Sequence, residues 1–143
     1  LNNQTVPKGA LTERTAMTAF APTSVILYVT DVEASTTFYR QALNKEPVET
    51  FDDFAVFALT DDVTIGLQTR DQIDPAATGT PGSVELSMSY ATHDDVDQLY
   101  HDWTTLGFPI ALEPTTLEFG YTFVATDPDG HRLRVCTTDT TNL

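Results

Sequence analysis

The chain has 143 residues, 41% hydrophobic and 10% aromatic, which suits one domain or two small modules sharing a core and excludes a disordered polypeptide. Seven Lys and Arg against 21 Asp and Glu leave a formal net charge of −14. That field excludes nucleic acid and anionic membrane surfaces as partners, and either favours neutral or cationic ones or serves solubility alone.

Residues 1–23 read as a polar N-terminal tail without the apolar core of a signal peptide. Such a tail becomes ordered only by docking on its own domain or a neighbour. No later apolar run approaches the roughly 20 residues of a membrane span. The single cysteine, Cys136, excludes an internal disulfide and a cysteine-based zinc site, so the cytoplasm is the expected compartment.

"SVILYVT" (24–30) is a short β-branched strand followed by Asp31 at a helix N-cap position. Val32, Phe38, Tyr39, Ala42 and Leu43 then share one helical face, and Pro47 ends the helical region. "PVETF", "FAVFAL" and "VTIGLQT" read as three strands, so the first half is β-α-β-β-β. A Pro/Gly/Thr linker, "DPAATGTPGS", separates it from a second copy of the same order. There "VELSMSY" (84–90) is a strand, and Val96, Leu99, Tyr100, Trp103 and Leu106 make a helical stripe closed by Gly107. "FPIALEP", "LEFGYTFVAT" and "HRLRVCT" supply the last strands. The halves share letters at an offset of 66: Phe57 with Phe123, Thr60 with Thr126, Asp61 with Asp127, Leu67 with Leu133.

The expected fold is α+β: two βαβββ modules, each a curled mixed sheet with a helix on one face, the other faces enclosing a cleft. The modules span about 24–70 and 84–137 of a domain at 24–137, and 138–143 is a C-terminal tail. This order, with "YVTDVEASTTFYRQAL" opening the first module and "DPDGHRLRV" closing the second, resembles the vicinal oxygen chelate superfamily of glyoxalase I, bleomycin-resistance proteins and ring-cleaving dioxygenases. The superfamily hosts several chemistries on one scaffold, so the resemblance speaks to fold before function.

Strand parity assigns faces, because alternate side chains point to opposite sides. Leu133 and Val135 should pack on a helix, leaving Arg132, Arg134 and Cys136 toward the cleft. By the same rule Val84, Leu86, Met88 and Tyr90 pack, while Glu85, Ser87 and Ser89 face the cleft. Ile65 and Leu67 pack and Gly66 and Gln68 face it; Val25, Leu27 and Val29 pack and leave Ser24, Ile26 and Tyr28. The aromatics Phe54, Phe57, Phe119, Tyr121 and Phe123 are either core or the lining of a pocket for a flat ligand. His93, His101 and His131 are expected at the surface, with no metal-type partner at i+3 or i+4. Asp127-Pro128-Asp129-Gly130 is read chiefly as a turn.

The resemblance implies a metal held by four strands, at positions matched here by Ser24, Gln68, Glu85 and Arg134. A guanidinium repels a divalent cation and a serine hydroxyl holds one poorly, so no metal and no cofactor is expected. Arg134 then stands as a cation in the metal position, neutralised by Glu85. The candidate ligand-binding residues are Tyr28, Phe57, Gln68, Glu85, Ser87, Phe119, Tyr121 and Arg134; no catalytic residue is assigned. The resemblance favours a metal-free protein that sequesters an aromatic or cationic small molecule. A metal-dependent lyase, isomerase or dioxygenase, or a sensor without chemistry, are the alternatives. A homodimer is the expected assembly, because modules with one open sheet face complete their clefts by pairing.

Overall fold

In this computed structural model the described residues are 19–139. The reading of the polar tail therefore falls almost wholly outside them, as does most of the C-terminal tail. The described residues form eight strands and two longer helices in the order β1 (Ser24–Val29), α1 (Val32–Leu43), β2 (Glu49–Thr50), β3 (Phe54–Ala58), β4 (Thr64–Thr69), β5 (Glu85–Ser89), α2 (His93–Thr105), β6 (Ile110–Leu117), β7 (Gly120–Thr126) and β8 (Arg132–Thr138), with a short 3₁₀ turn at Arg70–Gln72. The order β-α-β-β-β occurs twice, as the sequence indicates.

Helix α1 starts where Asp31 accepts from the Glu33 and Ala34 amides at 3.0 and 3.2 Å. It stops at Asn44, whose left-handed backbone (φ 53°) turns its amide to the Arg40 and Gln41 carbonyls, before Pro47 is reached. Thr92 caps α2 through the Asp95 amide at 3.1 Å.

Each module is a four-stranded sheet, ordered β1-β4-β3-β2 and β5-β8-β7-β6. The first strand of each runs parallel to the last and lies at the sheet edge. Helix α1 packs on β3 and β4, and α2 on β6, β7 and β8. The faces beneath them merge into one core containing Leu27, Val29, Ala55, Phe57, Ile65 and Leu67 from the first module and Trp103, Phe123, Leu133 and Val135 from the second. The Phe38 and Phe108 rings, 4.4 Å apart between centroids, stitch the two halves together.

Three details differ from the sequence reading. Strand β6 continues through Pro114 to Leu117, because β6 is an edge strand and its irregular register around Leu112–Thr115 accommodates a residue without an amide hydrogen. Met88, expected under a helix, is 57% exposed, since α2 packs mainly on β6–β8, away from the end of edge strand β5. Val84 is exposed for the same reason. The repeat is also not the one that the shared letters suggest. Ala58 pairs with Thr64, and Thr126 with Arg132, so the last two strands of each module superpose at an offset of 68, not 66.

Candidate ligand-binding site

The last hairpin carries the site. Its turn is more than a turn: Asp127, 3% exposed, accepts from the Asp129 and His131 amides at 2.9 Å and from the Tyr39 phenol at 2.8 Å. Asp129 in turn accepts from the Thr30 amide and hydroxyl. Two carboxylates thus bolt the second module onto the β1–α1 junction of the first. Desolvation around Tyr39, followed by the nearby Asp127 charge, pushes its phenol far above the ordinary tyrosine range.

His131, expected at the surface, is 3% exposed. Its Nδ1 accepts from the Gly82 amide at 3.2 Å, which leaves Nε2 to donate to the Tyr28 carbonyl at 3.3 Å. A loop histidine is buried here because the linker folds over it. The same linker and β1 border a half-open cleft of about 490 Å³ lined by Ile26, Tyr28, Val84 and His131.

Beyond the turn, β8 points Arg134 onto the face of the second sheet away from α2, where its side chain is 15% exposed. Its Nε donates to Glu85 Oε2 at 3.0 Å and its Nη2 to Glu85 Oε1 at 3.3 Å, a side-on bidentate pair across adjacent strands. Nη1 reaches Thr122 Oγ1 at 3.4 Å. The guanidinium lies 5.3 Å from the centroid of the Phe119 ring. Gly120, at φ 136°, lets the two-residue β6–β7 turn swing Phe119 into that position. Ser87 is Arg134's register partner on β5.

Of the residues expected to bind ligand, the structure gathers Glu85, Ser87, Phe119 and Arg134 on this sheet. Tyr28 and Gln68, register partners on β1 and β4, share the open face of the first sheet with Ile26 and Phe54. Gln68 is almost wholly buried and donates to the Thr69 carbonyl. Two expectations are corrected. Phe57 is fully buried in the core, because its β3 register puts it opposite Ile65 on the helix side. Tyr121 lies on the helix side of β7, where its hydroxyl donates to Asp97 and its ring stacks on His93 at 4.4 Å. That hydrogen bond raises the Tyr121 phenol above its usual range. Thr122 and Val124, almost fully buried on the face of the sheet away from α2, beside Cys136 and Arg134, escaped the sequence reading. Strand parity finds them once the turn is placed at residues 118–119.

The four positions matched to a metal site do not suit a divalent cation. Ser24 shares its hydroxyl hydrogen bond with Thr64 at 2.8 Å, and the Glu85 carboxylate is spent on Arg134. The ladders also shift one match. Glu85 stands to β8 as Ser24 stands to β4, and the counterpart of Arg134 is then Gly66, two residues before Gln68. Glycine offers no ligand atom. Among the described residues no group of three or more His, Cys, Asp or Glu side chains could hold a metal.

Residues 21–135 match the family model for the glyoxalase/bleomycin resistance protein/dioxygenase superfamily. The chain is 36% identical over 121 residues to the phenazine antibiotic resistance protein EhpR of Enterobacter agglomerans, covering 82% of this chain and 92% of that one. A solution NMR structure of a protein from Agrobacterium tumefaciens is 38% identical, with a TM-score of 0.72 over 84% of this chain and 98% of that one. A crystal structure of a glyoxalase/bleomycin resistance protein/dioxygenase from Nocardioides has a TM-score of 0.75 at 19% identity, over 94% and 95% of the two chains, a likeness of fold.

Proposed function

From a chain that belongs to the glyoxalase/bleomycin resistance protein/dioxygenase superfamily, we propose a protein that sequesters a flat heteroaromatic small molecule of the phenazine kind without transforming it. The observation that carries the reading is the Glu85–Arg134–Phe119 assembly on the face of the second sheet away from α2. It sets a cation beside an aromatic ring where a metal-using relative needs ligand atoms. Guanidinium and phenyl planes are stacking platforms for an aromatic ring, and neither activates a substrate bond. The resistance role of the relative in Enterobacter agglomerans supports the same ligand class.

A second copy of the chain completes the site in this proposal. Val25, Ile26 and Tyr28 on β1 are each 40% exposed, and Met88 on β5 more so, all on strands at sheet edges. Exposed apolar side chains along an unpaired edge favour burial against another chain. The open face of one sheet then meets the other copy and the ligand lies between.

Isothermal titration calorimetry with phenazine, on protein purified without chelator and analysed for metal, tests the proposal. Saturable binding near one ligand per chain with metal far below stoichiometric is the expected result. Stoichiometric metal, or turnover of an added substrate that a chelator abolishes, would replace it with the metal-dependent enzyme.

A further inference from the structure

The geometry points to Glu85 as a charge-selectivity residue that makes the site prefer an uncharged aromatic ligand over its carboxylated analogue, an inference that rests on the flat-ligand reading above. Arginine on an open sheet face ordinarily acts as a fork for carboxylates, using two parallel N–H groups. Here that fork is already occupied. Nε and Nη2 both point at the two Glu85 oxygens, at 3.0 and 3.3 Å, and Nη1 has Thr122 at 3.4 Å. The guanidinium carbon lies over the Phe119 ring, 5.3 Å from its centroid. What remains for a ligand is the outer N–H groups of a cation whose charge is cancelled by its neighbour.

The burial of the pair strengthens the case. Arg134's side chain is 15% exposed and Glu85's 38%, so the anion is the more accessible member. A carboxylate approaching Arg134 meets the Glu85 carboxylate first, and both share a chain of net charge −14. A neutral ring meets neither penalty. It can accept a hydrogen bond at a ring nitrogen. Register puts Ser87, a small side chain, beside Arg134 on β5. Specificity here is repulsion built against the charged competitor as much as attraction to the neutral ligand.

The experiment compares phenazine with phenazine-1-carboxylate by calorimetry, on wild type, Glu85→Gln, and the double variant Glu85→Met with Arg134→Met. Wild type is expected to bind phenazine more tightly. Glu85→Gln frees the fork, and the carboxylate-to-neutral affinity ratio should rise about tenfold or more, the effect of one charge-assisted hydrogen bond. The double variant has the same net charge at the site as wild type and should keep the ratio within about threefold of it. Glu85→Ala, which also frees the fork and should raise the ratio about tenfold, carries the test if Glu85→Gln fails to fold. A wild type that favours the carboxylate, a ratio unmoved in folded Glu85→Gln, or a double variant whose ratio shifts tenfold would overturn the selectivity while leaving ligand binding intact. Absence of binding by either probe would overturn the flat-ligand reading and this inference together.

Discussion

The Tyr39 phenol donates a 2.8 Å hydrogen bond to Asp127 across 88 residues of sequence, joining helix α1 to the turn before β8. Both residues are buried, and the bond lies where the two modules meet. Tyr39→Phe removes the donor and leaves one carboxylate oxygen of Asp127 without it. The expected cost is roughly 1–3 kcal/mol, the penalty for orphaning a buried acceptor. Urea melts measure it, and a loss below a few tenths would mean that water replaces the phenol.

Stability should also fall in alkali because of the same residue. Burial and Asp127 raise the Tyr39 pKa in the folded state, so the folded protein keeps a proton that the unfolded chain loses near pH 10. The folded form then binds more protons than the unfolded one. Its stabilisation is complete below about pH 10 and shrinks as pH rises, by about 1.4 kcal/mol per pH unit for one proton. Urea melts above about pH 10 should show this slope in wild type and a much shallower one in Tyr39→Phe, where the raised Tyr121 phenol remains.

The Glu85–Arg134 pair should show energetic coupling. Arg134 is mostly enclosed while Glu85 keeps 38% of its side chain exposed, so solvent screens the pair in part. A double-mutant cycle with alanine should give a coupling of roughly 1 kcal/mol, above a surface pair and below a buried one. Additive effects would mean that the two side chains do not hold each other in solution.

Gly120→Ala should disturb both the hairpin and the site. A Cβ at Gly120 would run into the Thr137 carbonyl oxygen, and φ 136° is a backbone conformation that L side chains rarely adopt. Backbone cannot step aside as a side-chain tip can, so a loss of roughly 3 kcal/mol or more is expected. Phenazine affinity should drop in any folded fraction, since the turn that aims Phe119 at Arg134 would shift.

The proposed dimer has a salt signature. Two copies of net charge −14 repel, while the edge residues Val25, Ile26 and Met88 carry no charge. Raising ionic strength should therefore tighten association. Light scattering at micromolar concentration should report a dimer, and Met88→Glu should shift it toward monomer. Monomer alone at every salt concentration would contradict the assembly.

Much of this molecule was legible in the one-dimensional pattern. The spacing of Val96, Leu99, Tyr100 and Trp103 marks a helix because only a 3.6-residue period puts them on one face. Asp31 and the duplicated β-α-β-β-β order were equally plain, since capping and strand alternation are local physics. Parity alone put Arg134 and Glu85 on the same side of a sheet. Tertiary structure decided what parity cannot see. Phe57 and Tyr121 look like pocket aromatics until strand register sets which face each strand turns to the helix. Met88 follows the packing parity and is still exposed, because no local rule says how far a helix reaches across a sheet. The burial of His131 depended on a linker some 50 residues earlier in the chain folding over it, as the Gly82 contact shows across a separation of 49. The counterpart of Arg134 proved to be Gly66, not Gln68, for the same reason: letters repeat at one offset, whereas backbone hydrogen bonds count rungs from the turn.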